Sequence, residues 1–260
     1  MRARLLSAFS TLLALPLLLW SAPGDAAQYV VHVHGRGSSG WGNNPMYASP
    51  GWQTVGVSYN ATTATLAQAN AQLRPQLASF CSGDNTCIVV AYSNGALQLG
   101  YTQANYPEVL ENALHIQTGG SAAGGTELLN NWTSEVASWF GQSYPSGVDA
   151  TLTVSAARNA YNHSLSAGIP TYHLGANTDW SDKLFWVTAA FLPGNDDGAV
   201  AFHSAFGCTG SGSQKETCGK FSGHFTDLWA TAAGNARSCP KGVCNSIDHG
   251  EIDDRAAYWY

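Results

Sequence analysis

The sequence is most informative at Cys87-Ile-Val-Val-Ala-Tyr-Ser93-Asn-Gly95-Ala-Leu-Gln-Leu-Gly, where an apolar run passes directly into a helix-forming segment. This pattern predicts a buried β-strand that turns sharply into a helix at Ser93. Such a turn brings strand and helix so close that the residues two before and two after the serine must be small. Ala91, which replaces the more usual Gly, and Gly95 both meet this demand. The stretch is therefore typical of a nucleophile elbow, with a strained Ser93 at the carboxyl end of a strand.

Apolar, β-rich runs alternate with helix-like segments along the chain. The predicted strands comprise residues 29–34, 55–59, 87–92, 113–118 and 171–174. Helices are predicted over residues 63–80 and 94–106, and Pro75 in the first predicts a kink or a division into two shorter helices. This alternation favours the α/β class, with a mostly parallel, twisted sheet covered by helices on both faces.

The first residues have the features of a cleaved secretory signal. Two arginines precede an apolar run over residues 5–20, which ends near a group of small residues. The run is interrupted by Ser, Thr and Pro and is short for a membrane-spanning helix, so a permanent anchor is the weaker alternative. We therefore expect residues 1–26 to be removed on secretion, to an extracellular or periplasmic location. Residues 27–260 should form a single domain without stable membrane insertion.

Charge and cysteine content limit the partners and the compartment. The 260 residues carry a formal net charge of −6 with only 11 Lys and Arg, which argues against nucleic acid as a partner. The six cysteines form three local pairs, namely Cys81 with Cys87, Cys208 with Cys218, and Cys239 with Cys244. In an oxidising compartment these pairs predict three disulfides, because each brackets a turn that contains Gly, Asn or Pro. A zinc site is the weaker alternative, since the chain has no Cys-x-x-Cys pair.

A second loop of chemical interest follows the first predicted strand, which ends in His34-Gly35-Arg36 before a Gly- and Ser-rich segment. Acyl transfer needs two N–H groups about 3 Å from the oxygen that becomes negatively charged. The backbone N–H of Arg36 is one candidate donor. The other is the backbone N–H of Asn94, at the start of the predicted helix. An ordinary tight turn is the alternative interpretation of the first loop.

Two later segments complete a resemblance to secreted α/β-hydrolase lipases and esterases. Gly194-Asn-Asp-Asp197-Gly-Ala-Val resembles the loop that bears the catalytic acid of that family. Asn245-Ser-Ile-Asp-His249-Gly-Glu resembles the C-terminal loop that bears its catalytic histidine. The resemblance spans residues 29–252 through short motifs, and their Ser, Asp, His order is that of the α/β-hydrolases.

The resemblance implies a catalytic triad of Ser93, Asp197 and His249. His249 would take the proton from Ser93 and return it to the leaving group, while Asp197 would orient His249 and stabilise its cation. Asp179 and Asp196 stay open as alternative acids, because sequence spacing does not determine geometry.

Together these features predict a hydrolase of carboxylic esters, with lipids, short-chain esters or polyesters as substrate classes. Residues 92–96 resemble the elbow of cutinases, and for this reason polyesters are kept among the candidate substrate classes. An acyltransferase with the same triad is one alternative, and a catalytically silent hydrolase fold that binds ligands is another. We expect a monomer without cofactor or metal. Calcium held by Glu251 and Asp253 is the alternative, although no oxygen-ligand spacing supports it.

Overall fold

The computed structural model describes residues 26–42, 46, 50–131, 147–161, 169–177, 188, 191–192, 196–205, 243–245 and 249. Its centre is a six-stranded sheet with the strand order β2-β1-β3-β4-β5-β6, in which all paired strands are parallel. The strands are β1 Gln28–Val33, β2 Gln53–Val57, β3 Thr86–Tyr92, β4 Ala113–Gly119, β5 Thr171–Asn177 and β6 Val243–Asn245. The α/β class predicted from the sequence is confirmed.

The strand order reverses between β1 and β3. From β1 the chain moves outward to β2, returns to the other side of β1 as β3, and continues through β4 to β6. In open α/β sheets ligands bind at such a reversal, outside the carboxyl ends of the strands. The loops after β1 and β3, which carry the two candidate oxyanion donors, therefore leave the sheet at its expected binding edge.

Two long helices, α1 Leu66–Cys81 and α2 Asn94–Asn105, pack beside the sheet. The other described α-helices are short, namely α3 Glu127–Asn131, α4 Asp149–Leu152, α5 Val154–Asn159 and α6 Phe202–Ala205. α1 begins with a capping box, in which the side chain of Thr65 accepts the N–H of Gln68 and the side chain of Gln68 accepts the N–H of Thr65. α1 is one helix that continues through Pro75, so the alternative of two shorter helices is wrong. Leu73 and Leu77, on either side of the proline, are fully buried, and this packing offsets the lost backbone hydrogen bond.

Residues of β1 and β3 are buried on both faces of the sheet. Val31 and Val89 belong to one apolar cluster with Leu73 and Leu77 of α1 and with part of α2. The residues of opposite parity are buried as well, and these are Val30, Ile88 and Val90. Each fully buried aliphatic side chain of this kind contributes about 1.5–3 kcal/mol. The strands that lead into the candidate site are thus packed on both faces.

A second apolar cluster supports the loops at the binding edge. It joins Leu97 of α2 to residues of α3, α4, α5 and α6 and to Val200, which lies just after the candidate acid. Gly124 approaches α6 so closely that a Cβ there would lie 2.5 Å from the carbonyl oxygen of Ser204. The loop after β4 and the loop around Asp197 are therefore packed against each other.

A disulfide joins Cys81 at the end of α1 to Cys87 in β3, as the local pairing predicts. Cys208, Cys218 and Cys239 lie outside the described residues, and of Cys244 only the backbone in β6 is described. The predicted signal is also outside them, except for Ala26. In the described part of the chain, no helix has the length and apolar character needed to cross a bilayer.

Candidate active site

Ser93 occupies the sharp turn between β3 and α2, with φ 52° and ψ −120°. Among the described residues it is the one non-glycine residue with a positive φ. Such a conformation costs about 1–3 kcal/mol and persists only where its surroundings hold it. Here the N–H of Ser93 donates to the carbonyl of Gly119 at 3.0 Å, and its own carbonyl accepts the N–H of Ala122 at 3.1 Å. The strained turn expected from the sequence is therefore tied to the loop after β4.

Close backbone approaches explain the small residues around Ser93. A Cβ on Gly95 would lie 2.6 Å from the carbonyl oxygen of Val33 in β1, so α2 could not start in this position with a larger residue. A Cβ on Gly35 would lie 2.9 Å from the Cβ of Ser93. The loop that follows β1 therefore passes directly beside the serine, where an oxyanion donor is required.

Asp197 is almost fully buried, with 1% of its surface exposed, and its carboxylate has three hydrogen-bond donors. One oxygen, Oδ1, accepts the backbone N–H groups of Ala199 at 3.0 Å and Val200 at 2.7 Å. The other oxygen, Oδ2, is 2.7 Å from Nδ1 of His249. The turn that follows Asp197 therefore fixes one carboxylate oxygen and leaves the second for the imidazole.

Further contacts fix His249 beside this carboxylate. Its backbone N–H donates to the carbonyl of Asp197 at 2.7 Å. Its own carbonyl accepts the hydroxyl of Tyr92 at 2.6 Å, and the Tyr92 ring lies 4.9 Å from the imidazole. Tyr92 directly precedes Ser93, so the residue next to the candidate nucleophile also holds the candidate base.

The end of β4 contacts all three candidate triad residues, through Gly119 and Gly120. Gly120 has a φ of +52°, and a Cβ there would lie 2.8 Å from both Oδ2 of Asp197 and Nδ1 of His249. The preceding residue, Gly119, accepts the N–H of Ser93. The end of β4 is therefore packed against the serine on one side and against the carboxylate and imidazole on the other.

The two candidate oxyanion donors lie on the loops expected from the sequence. Asn94 is fully buried and is the first residue of α2. Arg36 lies beyond Gly35, and its guanidinium forms an ion pair with Asp149 of α4 through both Nε and Nη2, the latter at 2.8 Å. Asp149 is 2% exposed, so this pair anchors the loop after β1 in the protein interior.

Asp196 differs from Asp197 in its hydrogen-bond partners. Its Oδ1 accepts the N–H of Gly198 at 2.8 Å, whereas the carboxylate that contacts His249 is that of Asp197. Burial raises the pKa of Asp196 to about 6, and the negative charges of Asp197 and Glu127 act in the same direction. Two adjacent carboxylates are thus placed in different environments.

Several residues considered in the sequence lie outside the described part of the chain. These are the alternative acid Asp179 and the alternative calcium ligands Glu251 and Asp253. Where the structure describes side chains, it has no cluster of three or more His, Cys, Asp or Glu that could hold a metal ion.

Sequence reasoning missed several residues that shape the site, among them Gly120, Tyr92 and Asp149. The pair Gly119-Gly120 directly after a predicted strand was a usable signal, because positive φ angles favour glycine. Tyr92 adjoins the predicted elbow. Asp149 offered no signal, since it lies 113 residues from its partner Arg36.

The parallel sheet with its strand order and the sharp turn from β3 into α2 are those of the α/β-hydrolase fold, and solved structures share this fold. A mature lipase of Bacillus licheniformis is 17% identical, with 90% of both chains covered and a TM-score of 0.61. A metagenomic carboxyl esterase is 19% identical over 70% of this chain and 61% of that chain, with a TM-score of 0.56. Lipase 1 from Pelosinus fermentans is 12% identical over 86% and 92% of the two chains, with a TM-score of 0.50.

No protein-family model and no curated protein sequence matches this chain. The structural likeness at these low identities establishes the fold, which is the α/β-hydrolase fold.

Proposed function

We propose that this protein is a secreted serine hydrolase that cleaves carboxylic esters through an acyl-enzyme on Ser93. The observation that carries the proposal is that three groups contact the end of β4 at Gly119 and Gly120. These are the strained serine, a buried carboxylate and an imidazole 2.7 Å from that carboxylate. A serine, a base and an orienting acid are the parts that nucleophilic acyl transfer requires.

In the proposed mechanism His249 accepts the Ser93 proton at Nε2 as the serine oxygen attacks the ester carbonyl. Asp197 holds Nδ1 of His249 in its protonated form and stabilises the imidazolium. The backbone N–H groups of Arg36 and Asn94 stabilise the negative oxygen of the tetrahedral intermediate. The imidazolium then protonates the leaving alcohol, and water releases the acid by the same steps in reverse.

The ester substrate follows from the site and from the names of the structural neighbours. Those neighbours are called lipases and a carboxyl esterase, and their fold is shared here. Lipid, short-chain and polyester substrates all stay within the proposal, because a fold alone does not determine substrate. Secretion rests on the N-terminal sequence and on the buried Cys81–Cys87 disulfide, which suits an oxidising compartment.

The proposal is tested with aryl esters of increasing acyl length and with a fluorophosphonate that labels activated serines. The wild type should turn over at least one ester and bind one phosphonate per chain, at Ser93. Ser93→Ala should lose the label and lower turnover by several powers of ten, as removal of a triad nucleophile does. Ser79→Ala is the matched control, because Ser79 is exposed on α1, away from the carboxyl edge of the sheet. It should keep full activity and labelling.

The same experiment separates the alternatives. An acyltransferase would give mainly the transfer product when an alcohol acceptor is added, whereas a hydrolase would release mainly acid. A wild-type chain that is folded yet neither labelled nor active would contradict the proposal and favour a silent binding fold. Labelling at another residue would remove Ser93 from the mechanism.

A further inference from the structure

The two proposed oxyanion donors come from different loops. Both must reach the same negatively charged oxygen, so the distance between the two N–H groups has to be fixed. Arg36 follows β1, and Asn94 begins α2 after β3. Tyr59 lies between these loops, two residues beyond the end of β2. It is 3% exposed, and no step of the proposed mechanism uses it.

Tyr59 holds His34 through three contacts. Its hydroxyl donates to the carbonyl of His34 at 2.6 Å, and its backbone N–H donates to Nε2 of the imidazole at 3.4 Å. The two rings are stacked, with centroids 4.2 Å apart and planes 16° apart. His34 is also nearly fully buried, so the two rings fix each other in the protein interior.

These contacts determine the tautomer of His34 and, through that tautomer, the orientation of the peptide group between Gly35 and Arg36. Because Nε2 accepts an N–H, the ring proton is on Nδ1, which donates to the carbonyl of Gly35 at 2.9 Å. Burial lowers the pKa of His34, which favours this neutral form. The carbonyl of Gly35 and the N–H of Arg36 belong to one planar peptide, so holding the carbonyl sets the direction of the N–H.

The hydroxyl of Tyr59 also contacts the second donor residue. The side-chain amide of Asn94 donates to it at 3.4 Å, and Asn94 is fully buried. Burial raises the pKa of Tyr59, so its hydroxyl stays protonated. One phenol oxygen therefore donates to the loop after β1 and accepts from the first residue of α2.

We propose that Tyr59 is a positioning residue that joins the two halves of the oxyanion hole, so that the N–H groups of Arg36 and Asn94 are held at a fixed separation. This inference rests on the proposed function, since it assigns a role within that site. Tyr59 itself does not touch the reacting atoms. Its effect should therefore fall on the transition state, in which the oxygen is charged, and hardly on ester binding.

The test is Tyr59→Phe in the full chain, assayed with the best ester of the chain-length panel. Loss of one direct oxyanion donor costs a factor of about 10²–10³, so loosening both donors should lower kcat about tenfold and leave KM within about twofold. A trifluoromethyl ketone, which Ser93 converts to a charged tetrahedral adduct, should bind about tenfold more weakly. The matched methyl ketone, which forms no such adduct, should bind as it does to wild type.

Tyr29→Phe is the matched control, because Tyr29 packs against Phe80 at the opposite end of the sheet. It should leave kcat and both ketone affinities unchanged. Asn94→Ala keeps the backbone donor and removes only the amide contact, so it should lower kcat severalfold. Its effect should not add to that of Tyr59→Phe.

Normal kcat and normal trifluoromethyl ketone affinity in Tyr59→Phe would overturn the inference. So would equal weakening of both ketones, which would indicate a distorted binding site, or a normal kcat in Asn94→Ala. These outcomes are distinguishable from failure of the proposed function, in which the wild type itself would not be labelled at Ser93.

Discussion

Replacing Asp197 by Asn exchanges one carboxylate oxygen for an NH₂ group and leaves the shape of the side chain unchanged. Oδ1 accepts two backbone N–H groups, from Ala199 and Val200, which an NH₂ group cannot do. The amide of the variant must therefore keep its oxygen toward the turn and place its NH₂ toward His249. A donor then faces Nδ1, and the ring proton has to move to Nε2, where it blocks acceptance of the Ser93 proton.

The magnitude follows from this change of tautomer. In serine hydrolases with the same constellation, an amide in place of the acid lowers kcat by about 10⁴ because the base is held in the wrong tautomer. That factor corresponds to about 5.5 kcal/mol of transition-state stabilisation. The fold should survive, because both backbone hydrogen bonds to Oδ1 are retained and the side-chain volume is the same.

The assay is kcat for the best aryl ester, with urea unfolding measured in parallel to exclude loss of fold. Asp196→Asn is the matched control, since it makes the same substitution one residue away, and its amide oxygen can still accept the N–H of Gly198. That variant should keep kcat within a few fold. A folded Asp197→Asn with kcat within tenfold of wild type would refute the assignment. Loss of activity in Asp196→Asn alone would transfer the role to Asp196.

Three further predictions follow from the same structure. Because Asp196 has a pKa raised from 3.8 to about 6, its ionisation opposes folding as the pH rises from about 4 to about 6. Urea unfolding should therefore show Asp196→Asn more stable than wild type by about 3 kcal/mol at pH 7, with no difference below about pH 4. Replacement of Cys81 and Cys87 by alanine should lower the free energy of unfolding by about 2 kcal/mol, as expected for a short closed loop. It should leave kcat unchanged, because the bridge is remote from the carboxyl edge of the sheet. Gly120→Ala should lower kcat about 10–100-fold by displacing His249, and a crystal structure with an unmoved ring would contradict this account.

The sheet was largely predictable because its central strands β1 and β3 are buried on both faces and are therefore mostly apolar. The five predicted strands are all present, with their ends shifted by at most three residues. β6 was missed since Val243–Asn245 is too short to give a periodic pattern. The continuity of α1 through Pro75 was not decided by local sequence, because it depends on the burial of Leu73 and Leu77.

At the site, sequence was informative where a local backbone geometry demands particular residues. The elbow at Ser93 is such a case, because close approach to β1 excludes a side chain at Gly95. Contacts between distant segments were not predictable in this way. Asp196 and Asp197 are adjacent in the sequence, and only the folded chain places a carboxylate oxygen of Asp197 2.7 Å from His249. The hydrogen bonds of Tyr59 to both candidate oxyanion loops likewise have no local signature.

The contacts of His249 with Tyr92 and Asp197 span 157 and 52 residues, which has a consequence for biosynthesis. A chain leaves the ribosome from its N-terminal end, and a domain generally folds as a unit. Strands β1 to β5 and the elbow at Ser93 all leave the ribosome before His249 does. On the proposed mechanism the serine then lacks its base throughout that period, so the growing polypeptide should not hydrolyse ester-containing lipids of the producing cell. On the proposed mechanism, hydrolytic competence therefore arises in a single late docking event, after most of the sheet has already been translated.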